Sequence, residues 1–364
     1  MAFICEENNK FPGPKTEDKE FLSAFVLGNI SIFSSVLNAA IELNLFGIIA
    51  KTNSGCASAS EIASQLPTQH PELTRNLDRM LCLLASHSLL ICSTRPNKDS
   101  GIERLYQLSP ISKYFVIDHN TPSLALLPSL ISRRPIVEVL LNFKEILLDC
   151  DNNIFTKIHR MPIYQFKGRD PVWNDNFNEA IANLSIVEMI KILEIYNGFE
   201  GISLLVDVGG GIGQNLNMII SKYPSTKGIN FDQPTVIQNA PAYPGLEHVG
   251  GDMFERVPKG DAIILKAVCH NWSDENCLKL LRNCYKALPQ NGKVIVVDII
   301  MPEVIQSSNV DKYVSSMDNL MFIYGGRERT EKEFENLCRA SGFSNFQVAC
   351  CAFSVLGVME FYKK

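Results

Sequence analysis

A chain of 364 residues exceeds what a single hydrophobic core usually serves, so two domains are expected. Its 46% hydrophobic and 20% charged residues describe a globular protein with ample core, and a formal net charge of −5 argues against nucleic acid or an anionic membrane as partner. The eleven cysteines include no C-x-x-C pair and the six histidines no H-E-x-x-H, so neither a disulfide framework nor a metal site is expected, and reduced thiols point to the cytoplasm.

The N-terminal MAFICEENNK lacks a basic segment followed by an apolar core, so no signal peptide is expected. Positions 21–49 are apolar but interrupted by Asn29, Ser31, Ser34, Ser35 and Asn38, which suits a buried or dimer-forming helix pair better than a membrane span. Ser58 and Glu61 form a capping box for SASEIASQL, and PELTRNLDRMLCLLASHSLL continues at helical spacing. ICSTRPNKDSGIERLYQLS then reads as a hairpin with a polar tip, completing a winged-helix outline. Six Lys/Arg against five Asp/Glu between 58 and 115 is too little positive charge for DNA. The outline is therefore read as a dimerisation domain.

From about 200 the pattern becomes strand, turn, helix, repeated. SLLVDVGGG runs into GQNLNMIISKYP, then KGINFDQP, GDAIILKAV, SDENCLKLLRNCYKALPQNG and GKVIVVDIIMP. Short, nearly continuous apolar runs suit strands covered on both faces, hence an α/β fold with a doubly wound, mainly parallel sheet. QSSNVDK at 306–312 reads as a surface loop; Thr330 and Glu333 cap a helix; NFQVACC and VLGVMEFYKK form a terminal hairpin. The expected division is a helical domain over 1–195 and a sheet domain over 196–364.

VDVGGGIG places Gly209, Gly210, Gly211 and Gly213 between a strand and a helix, where glycine permits unusual angles and close ligand approach. The spacing is G-x-G-x-G, not the G-x-G-x-x-G of dinucleotide enzymes, and no P-loop lysine follows. Asp232 ends the next strand, placed to accept two ribose hydroxyls. Asp252 and Met253 follow a third strand, where a carboxylate beside an apolar wall could hold an adenine. The pattern fits a nucleoside without phosphates, S-adenosylmethionine, better than NAD.

LVDVGGGIG, NFDQP, GDMFERVPKGDAIILKAVCHNWSDE, GKVIVVDIIMPE and GGRERTEKEF resemble, in order and spacing, the plant S-adenosylmethionine-dependent O-methyltransferases of the caffeic-acid type. FNEAIANLSIVEMIKILEIYNGFEG and the N-terminal helices extend the likeness to nearly the whole chain. The resemblance implies a class I, Rossmann-like methyltransferase domain behind a dimerisation domain. It also implies a homodimer whose N-terminal domain contributes to the acceptor pocket, and S-adenosylhomocysteine as product.

By the same resemblance His270 is the general base for a phenolic acceptor, flanked by Glu328 and by Asp298, which stands where the family usually has glutamate. Being one methylene shorter, Asp298 leaves its contact with His270 open, and Asn271 replaces the usual aspartate. Gly209, Gly211, Asp232, Asp252, Met253 and Lys266 match cofactor contacts, Lys266 near the adenine and Ser185 near the methionine end. The chemistry is consistent: moving a phenol proton (about 10) fully to a histidine (about 6.5) beforehand costs roughly 4.8 kcal/mol, which a carboxylate beside the imidazolium reduces. Phe155, Met161, Phe166, Phe177, Met317 and Met321 are candidate acceptor-pocket walls. Ala267 stands where relatives often carry tryptophan, which suggests a wider pocket and a polycyclic phenol, an alkaloid or a flavonoid. N-methylation of an aromatic amine, a catalytically silent ligand-binding relative and a NAD-dependent oxidoreductase remain the alternatives.

Overall fold

The computed structural model describes residues 15–68, 70–96, 101–118, 121–148, 154–161, 166, 171–238 and 240–364. The N-terminal decapeptide and the hairpin tip at 97–100 lie outside them. The chain divides into two compact units, Met1–Ser132 and Arg133–Lys364.

The first unit opens with α1 (Thr16–Gly28), α2 (Ile30–Glu42) and α3 (Leu45–Ala50), then β1 (Cys56–Ser58), α4 (Ala59–Ala63), α5 (Leu73–Ser86), β2 (Leu90–Pro96), β3 (Ile102–Leu108) and α6 (Leu126–Ile131). Ser58 starts α4 as the spacing predicts: its hydroxyl accepts from Glu61 N–H while the Glu61 carboxylate accepts from Ser58 N–H. The strands form an antiparallel sheet in the order β1-β3-β2, the expected wing. Leu77, Leu81 and Leu84, at helical spacing on α5, meet Ile41, Phe46, Ile49 and Tyr106 in the unit's core. By contrast α1 buries nothing, and Phe21, Phe25 and Leu27 are more than 60% exposed. Among the described residues no single helix is long and apolar enough to cross a membrane, and α1 and α2 meet at a 54° bend.

The second unit begins with α7 (Arg134–Leu141), α8 (Phe143–Leu148), α9 (Ile154–His159) and α10 (Pro171–Ile195). The α/β part follows as β4 (Leu204–Val208), α11 (Gln214–Lys222), β5 (Lys227–Asp232), α12 (Pro234–Ile237), β6 (Leu246–Gly250), β7 (Ala262–Lys266), α13 (Asp274–Ala287) and β8 (Lys293–Met301). It closes with α14 (Asn309–Ile323), β9 (Arg329–Thr330), α15 (Glu331–Ala340), β10 (Asn345–Ala352) and β11 (Leu356–Tyr362). The sheet order is β6-β5-β4-β7-β8-β11-β10, parallel from β6 to β8 and antiparallel at β11 and β10, with β9 beside β8.

Alternate residues of each strand serve opposite cores, as the two-residue strand period requires. Val206, Val208, Ile263, Leu265, Val294 and Val296 pack with Cys277, Leu280 and Leu281 of α13. Leu205, Ile264, Ile295 and Val297 face the other way, onto Leu216 and Ile219 of α11 and Met189 and Ile192 of α10. That last contact explains why the division falls at 132/133 and not at the expected 195/196. Helix α10 is part of the sheet domain's own core.

Residues 306–312 correct a second expectation. Only their first part is loop, because Ser308 caps α14: its hydroxyl accepts from Asp311 N–H, and Asp311 Oδ2 accepts from Ser308 Oγ and Gln306 N–H. Between β4 and β7 the strand order reverses, and ligands of open α/β sheets bind outside the C-terminal strand ends at such a point.

Candidate active site

Two turns leave the sheet side by side at this reversal. The turn after β4 carries Gly209, Gly211 and Gly213 with φ of +75°, +60° and +84°, a left-handed region costly to any side-chain-bearing residue. A Cβ at Gly209 would lie 2.9 Å from Val268 Cγ2, and Val268 belongs to the turn after β7, two residues before His270. A Cβ at Gly210 would run into Asn230 and Asp207, whereas one at Gly211 would meet nothing within 4 Å. The glycines thus let the loop close onto its neighbours and leave backbone open above it.

What surrounds the loop is acceptor-rich. Asp232 Oδ2 accepts from Gly211 N–H at 2.9 Å and its Oδ1 from Gln233 N–H at 2.7 Å, which fixes the carboxylate at the tip of β5. Asp252 is exposed and accepts from Phe254 N–H at 2.8 Å, while Gly251 N–H bonds Asp232 O at 3.0 Å, tying the two acidic turns together. Beneath the loop, Asp207 Oδ2 and Asn230 Oδ1 are buried with no partner among the described residues. Burial pushes the Asp207 carboxyl up to about 7, Lys266 pulling it down and Asp232 up. Acceptors facing a glycine cradle fit the hydroxyls and amines of an adenosyl cofactor. A pyrophosphate would need donors instead, and the near cation, Lys266, is already paired.

Lys266 ends β7 with its ammonium bonded to Glu188 Oε2 at 2.6 Å and Ser185 Oγ at 2.9 Å; Ser185 in turn donates to Asn215 Oδ1 at 2.9 Å. The structure therefore brings Lys266 together with Ser185, and both with Glu188 and Asn215, which sequence reading had not singled out. Nothing in the composition of NLSIVEM marks Glu188 as the partner of a residue 78 positions away.

His270 lies in the short helical turn Cys269–Asn271 beyond β7. Its Nδ1 is 3.0 Å from Glu328 Oε1, and both side chains are nearly or fully buried. A carboxylate only accepts, so Nδ1 carries the hydrogen and Nε2 keeps the lone pair. Asp298, buried on β8, sits with Oδ1 4.0 Å from the same nitrogen, beyond hydrogen-bonding reach, while Oδ2 accepts from Cys269 N–H at 3.2 Å. The short side chain thus holds the turn and leaves Glu328 to hold the ring. Burial pushes the imidazole down, but the Glu328 hydrogen bond and the charges of Asp298 and Glu328 outweigh it, and its pKa is raised. Burial pushes Asp298 up to about 7, against the pull of His270. Asn271 donates to Ala267 O at 3.0 Å and so acts within the turn.

Glu328 is positioned by Asp318 of α14, whose Oδ1 accepts Glu328 N–H at 2.8 Å. Asp318 too was missed. On the same helix, Met321 is buried and Met317 half-buried against the sheet core. Phe155 is buried in an aromatic cluster, 5.5 Å from Phe166 and 4.4 Å from His159, ring centre to ring centre. Met161 and Phe177 are half-buried, and Ala267 is exposed with φ +55° directly after Lys266. The described cysteines are free thiols, and among the described residues no three His, Cys, Asp or Glu side chains form a metal cluster.

A family model for the O-methyltransferase domain matches residues 141–344, and one for the O-methyltransferase dimerisation domain matches 26–118. Caffeic acid 3-O-methyltransferases are similar over almost their whole length: that of Capsicum annuum is 48% identical, covering 96% of this chain and 98% of the relative, and that of Rosa chinensis 48%, covering 98% of each. Among solved structures, human N-acetylserotonin methyltransferase in complex with SAM superposes with a TM-score of 0.80 at 21% identity, over 96% of this chain and 99% of that one, which supports the fold. With both domain models matched in order and near-full-length identity of this size, the chain belongs to the plant S-adenosylmethionine-dependent O-methyltransferases of the caffeic-acid type.

Proposed function

We propose that the chain methylates a phenolic hydroxyl of a plant aromatic metabolite, with His270 as the base that takes the phenol's proton. The 3.0 Å contact between His270 Nδ1 and Glu328 carries this reading, because it leaves Nε2 basic and supplies a buried anion for the imidazolium. S-adenosylmethionine, when bound, supplies a methyl group on a sulfonium centre that is already electrophilic. Asp232 and Asp252, carboxylates at the two acidic turns, would hold its hydroxyl and amino donors, and the 209–213 loop would let it approach the backbone. The junction of the two turns at Gly209 and Val268 keeps cofactor loop and base in one register, which is what positioning a nucleophile demands.

The named relatives act on caffeic acid. In this chain the small, exposed Ala267 beside the base leaves room for a larger acceptor, so the preferred substrate is a polycyclic phenol of the alkaloid or flavonoid kind. The dimerisation-domain match and the uncovered apolar face of α1 support a homodimer, and the free thiols support a cytoplasmic setting. Labelled-methyl transfer to caffeate, a catechol flavonoid and a phenolic isoquinoline tests the acceptor. Faster turnover of either polycycle is expected; caffeate outpacing both would contradict the preference.

A further inference from the structure

The four residues 326–329 touch the turn that carries His270 at the carbonyls of Cys269, His270 and Trp272 and at the imidazole itself. A Cβ at Gly326 would run into His270 O, and Arg327 N–H donates to that same oxygen at 2.9 Å. Glu328 holds the ring. Arg329 does the rest: Nη1 donates to Cys269 O at 2.7 Å and Nη2 to Trp272 O at 2.7 Å, the carbonyls on either side of the base. Its Nε and Nη2 also reach Asp274 Oδ1, at 2.9 and 2.8 Å, at the start of α13.

Arg329 has 0% of its side chain exposed, and a buried guanidinium is costly unless its donors are satisfied and its charge is paired. Here the Cys269 and Trp272 carbonyls accept from it, and the Asp274 carboxylate at the start of α13 accepts from it too and pairs its charge. From β8, Asp298 accepts Cys269 N–H. The turn is therefore gripped from two sides, and the fork geometry of arginine is needed because two divergent carbonyls and a carboxylate must be reached at once.

We infer that Arg329 is a positioning residue for methyl transfer: its guanidinium sets the height and orientation of the His270 turn through the Cys269 and Trp272 carbonyls. Its side-chain hydrogen bonds go to Cys269, Trp272 and Asp274, not to the 209–213 loop, Asp232 or Asp252. The inference rests on His270 being the base. If it holds, loss of Arg329 lowers kcat while leaving cofactor affinity alone, and the loss disappears when His270 is already absent.

The experiment is a double-mutant cycle of Arg329→Met and His270→Ala, with caffeate and a catechol flavonoid as acceptors and S-adenosylhomocysteine titrated by calorimetry to report the folded cradle. Arg329→Met should lower kcat roughly 30-fold, with cofactor affinity within about twofold of wild type. In the His270→Ala background it should cost less than about twofold more. Arg329→Lys, which can reach one carbonyl but not both, should recover part of the rate, and it takes the place of the methionine variant in the cycle if that protein does not fold. Equal losses in both backgrounds, or a kcat within about threefold of wild type for the arginine variants, would overturn the positioning role. Full activity in His270→Ala alone would instead remove the base on which the inference rests.

Discussion

Replacing Glu328 by glutamine keeps the shape of the side chain and an oxygen that can accept the His270 Nδ1 hydrogen. The ring stays in place and only the charge is lost. At the 3.0 Å separation seen here, Coulomb attraction between carboxylate and imidazolium is at most about 5.5 kcal/mol for an effective dielectric constant near 20. The amide retains roughly 1 kcal/mol of hydrogen bonding, and a charged bond contributes about 1.5–3. Asp298 still supplies a negative charge 4.0 Å away. The barrier should therefore rise by about 2–3 kcal/mol, a loss of roughly 30- to 150-fold in kcat. Single-turnover transfer of labelled methyl to a catechol acceptor, followed across pH, measures it. Burial pushes the His270 pKa down while Glu328 and Asp298 push it up and prevail, so activity in the native enzyme climbs through a midpoint above 6.5 as the base loses its proton. Glu328→Gln should move that limb to lower pH, so the deficit is smallest in acid. A deficit under about threefold together with an unmoved limb would refute the assignment of Glu328 as the ring's counter-charge.

The buried carboxyl of Asp298 is pushed up to about 7, so ionising it weighs against the folded state from its ordinary range upward, and fully above about pH 7. Asp298→Asn should accordingly melt no lower than wild type at pH 8, yet lose roughly 3- to 10-fold in kcat; a melting point well below wild type contradicts the cost assigned to that charge. Gly209→Ala adds a Cβ at φ +75° and 2.9 Å from Val268, so cofactor affinity should weaken about tenfold or more, with about 1–2 kcal/mol of stability lost, read by calorimetry and by urea titration. Unchanged affinity would mean the loop is not the cradle. Away from the site, burial pushes Glu360 up, but Lys293, Tyr196, Tyr362 and Gln347 hold it down to about 2. Glu360→Gln should cost about 3 kcal/mol above pH 5, and the gap to wild type should close as pH falls toward 2; a gap that persists in acid contradicts it.

Strands β4, β5, β7 and β8 were legible because each is a short apolar run, ended in β4, β5 and β8 by Gly, Asp or Pro, and because burial on both faces leaves little polar alternation to confuse the pattern. Capping signatures were equally plain at Ser58 and Thr330, where both halves of the box form as spaced. Ser308 carried the same kind of signal, but the polar stretch QSSNVDK masked it and the start of α14 read as loop. Helix α10 was placed with the wrong domain since its apolar residues are spread around the axis and show no single face. Its allegiance is set by Met189 and Ile192 packing into the sheet core and by Ser185 and Glu188 meeting Lys266, contacts that no local pattern encodes.

Within the site, His270, Glu328 and the glycine loop came from motif likeness, and the structure brings the first two into contact. Asp298 was ambiguous for a physical reason. One methylene decides between bonding the ring and bonding the turn, and the outcome is the turn, at Cys269 N–H. Arg329's hold on the turn was invisible because it runs through the Cys269 and Trp272 carbonyls, and backbone atoms leave no trace in residue identity.

The role of His270 can be tested alone by replacing it with alanine and measuring phenol methylation at saturating cofactor beside the dissociation constant for S-adenosylhomocysteine. A fall of roughly 100-fold or more in kcat, with that constant changed by less than about twofold, is the expected result. Phenol turnover retained within about tenfold, in a protein that still binds the cofactor product, would show that the His270 imidazole is not the base.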